Sequence, residues 1–333
     1  MKFLQAGILR TVMLTAAVAA GAGATHAVAA NPLVRVSSTF GDFTVELFQD
    51  RAPATVQNFL GYVDRGDYSR VVVHRLDRDF VIQMGSHRWN GDCSNGVLPP
   101  ACGPANIPSQ AMVPNEPGVS NTAGTLAMAK IAGLPDSATS QWFVNLRDNS
   151  NPLDTTEQGY TVFGQILGDG MEVPQRVNQL QDTINVATNV ETLPIRDAAS
   201  LVSGPTEKNL VLMNVWRVDR HSSSLNVFEF RTGVLSTYVD AGDLGRMSLL
   251  LKVVANTGAD TIFELDPTSL IPLAITPDGM ATFSADDQRL RIPEVEVNDH
   301  GQVVTAYNVV LRLIDPNTWR FVLESYEVPA TAN

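Results

Sequence analysis

Cysteine is nearly missing from this chain: its 333 residues include two, Cys93 and Cys102, and only five histidines. With no second Cys pair and no His cluster beside them, no metal site is expected. A local disulfide, formed in an oxidising compartment, is the natural reading of a loop rich in Gly, Pro and Asn. Positive charge is also scarce, with 23 Lys and Arg against 35 Asp and Glu, for a net charge of -12. Nucleic acid and anionic lipid both need a basic footprint, so neither is expected as a partner. No apolar run after the N-terminal region is long enough to span a bilayer. There is no internal repeat and no coiled-coil signal, which makes a monomer the expected state. What remains, 44% hydrophobic and 17% charged, is a globular composition with length enough for two domains.

The N-terminus carries a targeting pattern. Lys2 and Arg10 precede an uncharged, mostly small and apolar stretch from Thr11 to Ala24, and Ala27-Val28-Ala29 fits a small-x-small cleavage site. Residues 1–30 are therefore expected to be a signal peptide, leaving an exported chain with no membrane span once they are removed.

In the following region, Val34 and Val36, then Phe43, Val45 and Leu47, alternate with polar residues around a Gly41-Asp42 turn. Pro53 opens a segment in which Val56, Phe59, Leu60 and Val63 recur at helical spacing, and Gly66 marks its stop. Strand signals follow at Val71 to His74, Phe80 to Met84, Thr125 to Ala129, Trp142 to Leu146, Tyr160 to Ile166 and Leu210 to Arg217, with a second helix from Val173 to Leu180. Residues 85 to 118, with six prolines, read as one long ordered loop. About eight strands and two helices suggest a barrel capped by helices. From about residue 222 short strand-like runs alternate with turn signals, an all-β pattern. The expected organisation is a first domain over 31–220 and a small all-β domain of unknown role over 221–333.

The chemistry-bearing residues sit in the first domain. In the segment Val73-His74-Arg75-Leu76 to Phe80-Val-Ile-Gln83, strand alternation predicts Val73 and Arg75 on one face, His74 and Leu76 on the other. An Arg sharing a face with a Phe and a Gln of the next strand makes sense where an apolar groove needs one fixed charge. Gly124-Thr-Leu-Ala-Met-Ala-Lys130, Ser140-Gln-Trp-Phe143, Leu153-Asp154 and Val162-Phe-Gly164 follow in order.

In these motifs, over about residues 33 to 218, the chain resembles the cyclophilin family, and bacterial periplasmic members in particular. The resemblance implies a closed eight-stranded antiparallel barrel with two capping helices, and peptidyl-prolyl cis/trans isomerase activity on proline-containing polypeptides. It implies that Arg75 is catalytic and that Gln83 orients it. It places Phe80, Phe143 and Leu153 around the proline ring, and His74, Val81, Met128, Ala129, Lys130, Gln141 and Tyr160 along the groove. The reaction breaks no bond, so no cofactor is implied. Pro152 stands where many members carry a Trp linked to cyclosporin binding, Tyr160 where many carry His, and Lys130 where Asn is common. The expected location is the periplasm, with secretion as second choice. The competing reading is a non-catalytic proline-peptide binding or chaperone module of the cell envelope.

Overall fold

The computed structural model describes residues 30–93, 102–185, 192–201, 204–257, 260–299 and 302–329. The expected signal peptide, apart from Ala30, lies outside the described residues. Two sheets organise the chain.

The first begins with a hairpin of β1 (Leu33–Ser38) and β2 (Gly41–Leu47), paired from Leu33↔Glu46 to Ser38↔Gly41. Gly41 has φ +120°, which an L side chain rarely adopts. The sheet continues with β3 (Val71–Val72), β4 (Arg75–Asp77), β5 (Val81–Met84), β6 (His87–Trp89), β7 (Pro104–Asn106), β8 (Thr125–Met128), β9 (Trp142–Asn145) and β10 (Val162–Ile166). A separate ribbon pairs β11 (Asp182–Ile184) with β12 (Leu193–Ile195), and β13 (Leu212–Val218) completes the first sheet. Its strand order is β4-β5-β9-β8-β10-β2-β1-β13-β3-β6-β7. Since β3 runs through Val73-His74 straight into β4, one segment meets β13 at one end and β5 at the other. Val73 N–H donates to Val211 O at 3.1 Å and His74 N–H to Gln83 O at 3.1 Å, which seals the seam of the expected barrel.

This seam corrects two expectations. Val71 to His74 is not one regular strand: the chain changes partners at Val73-His74, so alternation breaks. Val73 and Leu76 both enter the central core. Residues 85 to 118 are not one loop either. The hairpin of β6 and β7 extends the sheet past β3, and Cys93 and Cys102 are joined in a disulfide beside it.

The barrel interior is filled. The helix Pro53–Asp64 starts without a side-chain cap of its own, but the Glu116 carboxylate accepts from Ala54 N–H, Thr55 N–H and the Thr55 hydroxyl at 2.7–3.1 Å. Its Phe59 packs on Tyr68, Trp142 and Phe163 with ring centroids 4.9–5.7 Å apart. A second helix, Glu172–Asn178, buries Val173, Pro174 and Val177.

The second sheet contains β14 (Val227–Glu229), β15 (Val234–Asp240), β16 (Arg246–Asn256), β17 (Thr261–Leu265), β18 (Ile271–Pro272), β19 (Ala281–Ser284), β20 (Arg289–Asp299), β21 (Gln302–Asp315) and β22 (Arg320–Glu327). Its order is β14-β15-β19-β20-β21-β22-β17-β16-β18, and the pairing of β15 with β16, from Val234↔Lys252 to Asp240↔Arg246, closes it into a second barrel.

The two barrels meet wall to wall. The alternation of β1 predicts Arg35 and Ser37 in solvent, yet they are 4% and 0% exposed because the second barrel covers them. Arg35 pairs with Asp42 at 2.7 Å and donates to Ser224 O. Ser37 meets Ser248 at 2.7 Å, the Tyr238 hydroxyl donates to Asp42, and Asn214 donates to Ser269 O. Ile271 adds an apolar contact, packing with Val72, Trp89, Leu210 and Leu212.

Candidate active site

The site is a row across five strands. Register sets Arg75 opposite Gln83, Gln83 opposite Phe143, Phe143 opposite Ala127, and Ala127 opposite Val162. Residues directly opposite one another share a face of a sheet. This row lies on the outer wall of the barrel, because its neighbours Leu126, Met128, Trp142, Val144 and Phe163 fill the inside. Phe143, Ala127 and Val162 join Val81 and Leu153 in a separate apolar cluster, against which Phe80, Ala129, Tyr160, Phe48 and Val119 also pack. The Phe143 and Tyr160 rings meet edge to face at 5.9 Å. The result is an apolar hollow with one guanidinium at the end of its row.

That guanidinium is held from two sides. Arg75 Nη1 donates to Gln83 Oε1 at 3.2 Å, and Nη2 pairs with Asp77 Oδ2 at 2.7 Å. Gln83 Nε2 in turn donates to Gln141 Oε1 at 2.9 Å. Gln141 is pressed close by Gly85, whose φ is +93° and where any Cβ would lie 2.2 Å from Ser140 O. Gln141 O also accepts from Ala129 N–H at 3.0 Å, which ties the end of β8 to the start of β9.

The far wall is fixed by a buried amide network. Asn145 donates to Asn121 and Thr125, and Asn149 donates to Asn145 Oδ1 and to Phe80 O. Asp154 accepts from Asn121 N–H and its side chain at 2.9 Å, which positions the turn bearing Leu153. Buried amides that satisfy one another in this way hold a surface rigid.

The other expected site residues have different surroundings. His74 is buried, with Nδ1 2.9 Å from Ser86 Oγ, and burial foremost, then His87, lowers its pKa to about 4. Met128 points into the barrel interior; alternation along β8 gives the hollow Ala127 instead, so the expectation of a groove-facing Met128 side chain is corrected. The Lys130 ammonium donates to Glu157 O and Gly159 O at 2.6 Å and sits 4.7 Å from the Tyr160 ring centroid. It braces that ring and the turn before it, and its pKa is lowered by burial first of all. Sequence reasoning missed Ala127 and Val162, which a strict period-2 reading of β8 and β10 places on the Phe143 face. It also missed Asp77, two residues from Arg75 on the same face, and the asparagine network, which leaves no periodic trace.

A family model, cyclophilin type peptidyl-prolyl cis-trans isomerase, matches residues 33–199. The chain is similar to a peptidyl-prolyl cis-trans isomerase of Acinetobacter baylyi, with 35% identity over 174 residues that cover 51% of this chain and 85% of that one. It is likewise similar to peptidyl-prolyl cis-trans isomerase B of Escherichia coli, with 35% identity over 149 residues, 44% of this chain and 83% of that protein. A solved cyclophilin-type isomerase from Cryptosporidium parvum overlaps 56% of this chain and 99% of its own with a TM-score of 0.38 and 17% identity.

Proposed function

This chain belongs to the cyclophilin type peptidyl-prolyl cis-trans isomerases, and on that premise we propose that its catalysis rests on Arg75, acting on proline-containing segments of exported polypeptides. Rotation about a peptide bond is resisted by roughly 18–20 kcal/mol because nitrogen shares its lone pair with the carbonyl. At the twisted transition state the prolyl nitrogen regains that pair. A guanidinium directed at it binds the transition state better than either ground state, which is the requirement for rate enhancement. The hollow formed by Phe80, Phe143, Leu153 and Ala127 accepts the ring, while Gln83 holds the guanidinium from the side. No bond is made or broken, so the protein's task is placement and charge.

The observation that carries this reading is the Arg75–Gln83–Phe143 row, which sets a cation beside an apolar recess. The reading of export rests on Lys2, Arg10 and the small-residue pattern ending at Ala29, with the periplasm as first location. Arg75→Ala is expected to lower kcat/KM on a prolyl tetrapeptide by roughly a hundredfold or more, with peptide binding by calorimetry retained. An intact chain with no isomerase activity, or a fully active Arg75→Ala, would overturn the assignment.

A further inference from the structure

The second barrel touches the strand that leads to Arg75. Its point of contact is the segment from Asp266 to Pro272, which is itself fixed. The Asp266 carboxylate accepts from Thr268 N–H at 2.8 Å, the Ser269 hydroxyl donates to Asp266 O at 2.6 Å, and β18 pairs with β16 at Ser248↔Ile271. From this support two carbonyls and one side chain reach the first barrel. Ser269 O accepts from Asn214 Nδ2 at 2.6 Å, and Asn214 Oδ1 accepts from Arg70 N–H at 2.7 Å. Leu270 O accepts from Arg70 Nη1. The rest of the Arg70 guanidinium donates to Trp89 O at 2.9 Å and pairs with Glu207 at 2.8 Å. Arg70 has φ +55°, a backbone state that a residue other than glycine keeps only where its surroundings impose it. The second barrel supplies part of that constraint, at the residue immediately before β3.

The side chain is Ile271, 0% exposed and packed with Val72, Trp89, Leu193 and Leu212. Among the described residues it is the second barrel's one member of this cluster. The cluster leads to Arg75 by two routes. Val72 ends β3, and Val73-His74 carry the chain from there directly into Arg75. Leu193 begins β12, and Thr192 O just before it accepts from Leu76 N–H at 3.0 Å, beside Arg75 on β4. The proline hollow of Phe80, Ala127, Phe143 and Leu153 takes no residue from this cluster.

We infer that Ile271 and Arg70 are positioning residues for the isomerase reaction: through them the second barrel clamps β3 and β12 and keeps the Arg75 guanidinium aimed. The inference rests on the reading of Arg75 as catalytic. A cation that acts at the transition state is sensitive to small shifts of its backbone, whereas a ring pocket on other strands keeps its shape. Loosening the clamp therefore lowers kcat and leaves KM unchanged.

The test uses the full chain, with kcat and KM measured separately on a prolyl tetrapeptide. Ile271→Ala should lower kcat about tenfold at unchanged KM, and Ile271→Val, which keeps most of the side chain, should restore it to within about twofold. Ile292→Ala removes the same atoms from an equally buried position in the core of the second barrel and should leave both constants at wild-type values. A wild-type kcat in Ile271→Ala, an equal fall in Ile292→Ala, or a fall carried by KM overturns the clamp. Should Ile271→Ala fail to fold, Arg70→Lys decides: it keeps the cation but loses the planar fork that spans Trp89 O and Leu270 O. A lower kcat at unchanged KM then supports the clamp, and a wild-type kcat overturns it. A fully active Arg75→Ala would instead sink the underlying assignment, so the two failures are distinguishable.

Discussion

The two barrels of this chain solve the same geometric problem in opposite ways. The first is stuffed with Phe59, Tyr62, Tyr68, Trp142 and Phe163, so nothing can bind inside and its chemistry sits on the outer wall. The second closes around a hollow bounded by Phe263, Leu311 and Leu323, so its outer wall is free to pack on its neighbour. Where a closed sheet keeps its bulky side chains decides which of its surfaces can serve a ligand.

Paired truncations test this contrast most strongly. Leu126 is fully buried in the filled barrel, whereas Leu323 is partly buried and lines the chamber of the other. Leu126→Ala should cost about 4 kcal/mol and Leu323→Ala only about 2 kcal/mol, because the second side chain already lacks neighbours on one side. Hydrogen exchange of each sheet's amides measures both, and equal losses would erase the distinction.

A smaller effect sharpens the claim that the outer-wall site depends on fine placement. Gly85→Ala forces a Cβ against Ser140 O and shifts Gln141, the partner of Gln83. A drop in kcat/KM of about tenfold is expected, since small misplacements are costly in catalysis. An unchanged rate in the steady-state assay would show that the Gln83–Gln141 link is dispensable.

The smallest effect concerns the second barrel near its junction with the first. Glu229 is 3% exposed and its Oε1 has no hydrogen-bond partner. Burial first, then the charge of Asp219, push its pKa up to about 7. The native state thus keeps a proton that the unfolded chain releases near pH 4.5, and stability declines as pH rises from about 4.5 to about 7. Glu229→Gln keeps the neutral shape. Thermal melts should give it a Tm about 2 °C above wild type above pH 7 and no gain below pH 4.5. A gain that persists in acid would assign the effect to packing.

Much of the first barrel was legible because Val34, Val36, Phe43, Val45 and Leu47 alternate cleanly and Pro53 and Gly66 punctuate the helix. The row of Arg75, Gln83 and Phe143 was legible through motif order. The β6–β7 hairpin was hidden because Trp89 and Pro104 sit in a segment rich in Gly and Pro, with no alternation to read. The inward turn of Val73 was hidden because a change of strand partner depends on residues far away, Val211 and Gln83. Arg35 and Ser37 looked solvent-facing because covering one barrel with another is a tertiary event. The hollow left no mark at all, since residues lining a chamber and residues filling a core carry the same hydrophobic pattern.

His74 has a consequence for the conditions under which the groove can operate. An ordinary imidazole takes up a proton near pH 6.5, but this one, sealed beneath Ser86, waits until about 4, and His87 beside it is also lowered by burial. Moderate souring of the medium therefore adds no new cation next to Arg75 from His74, whose ring stays neutral until the surroundings are far more acidic than an exposed imidazole would tolerate.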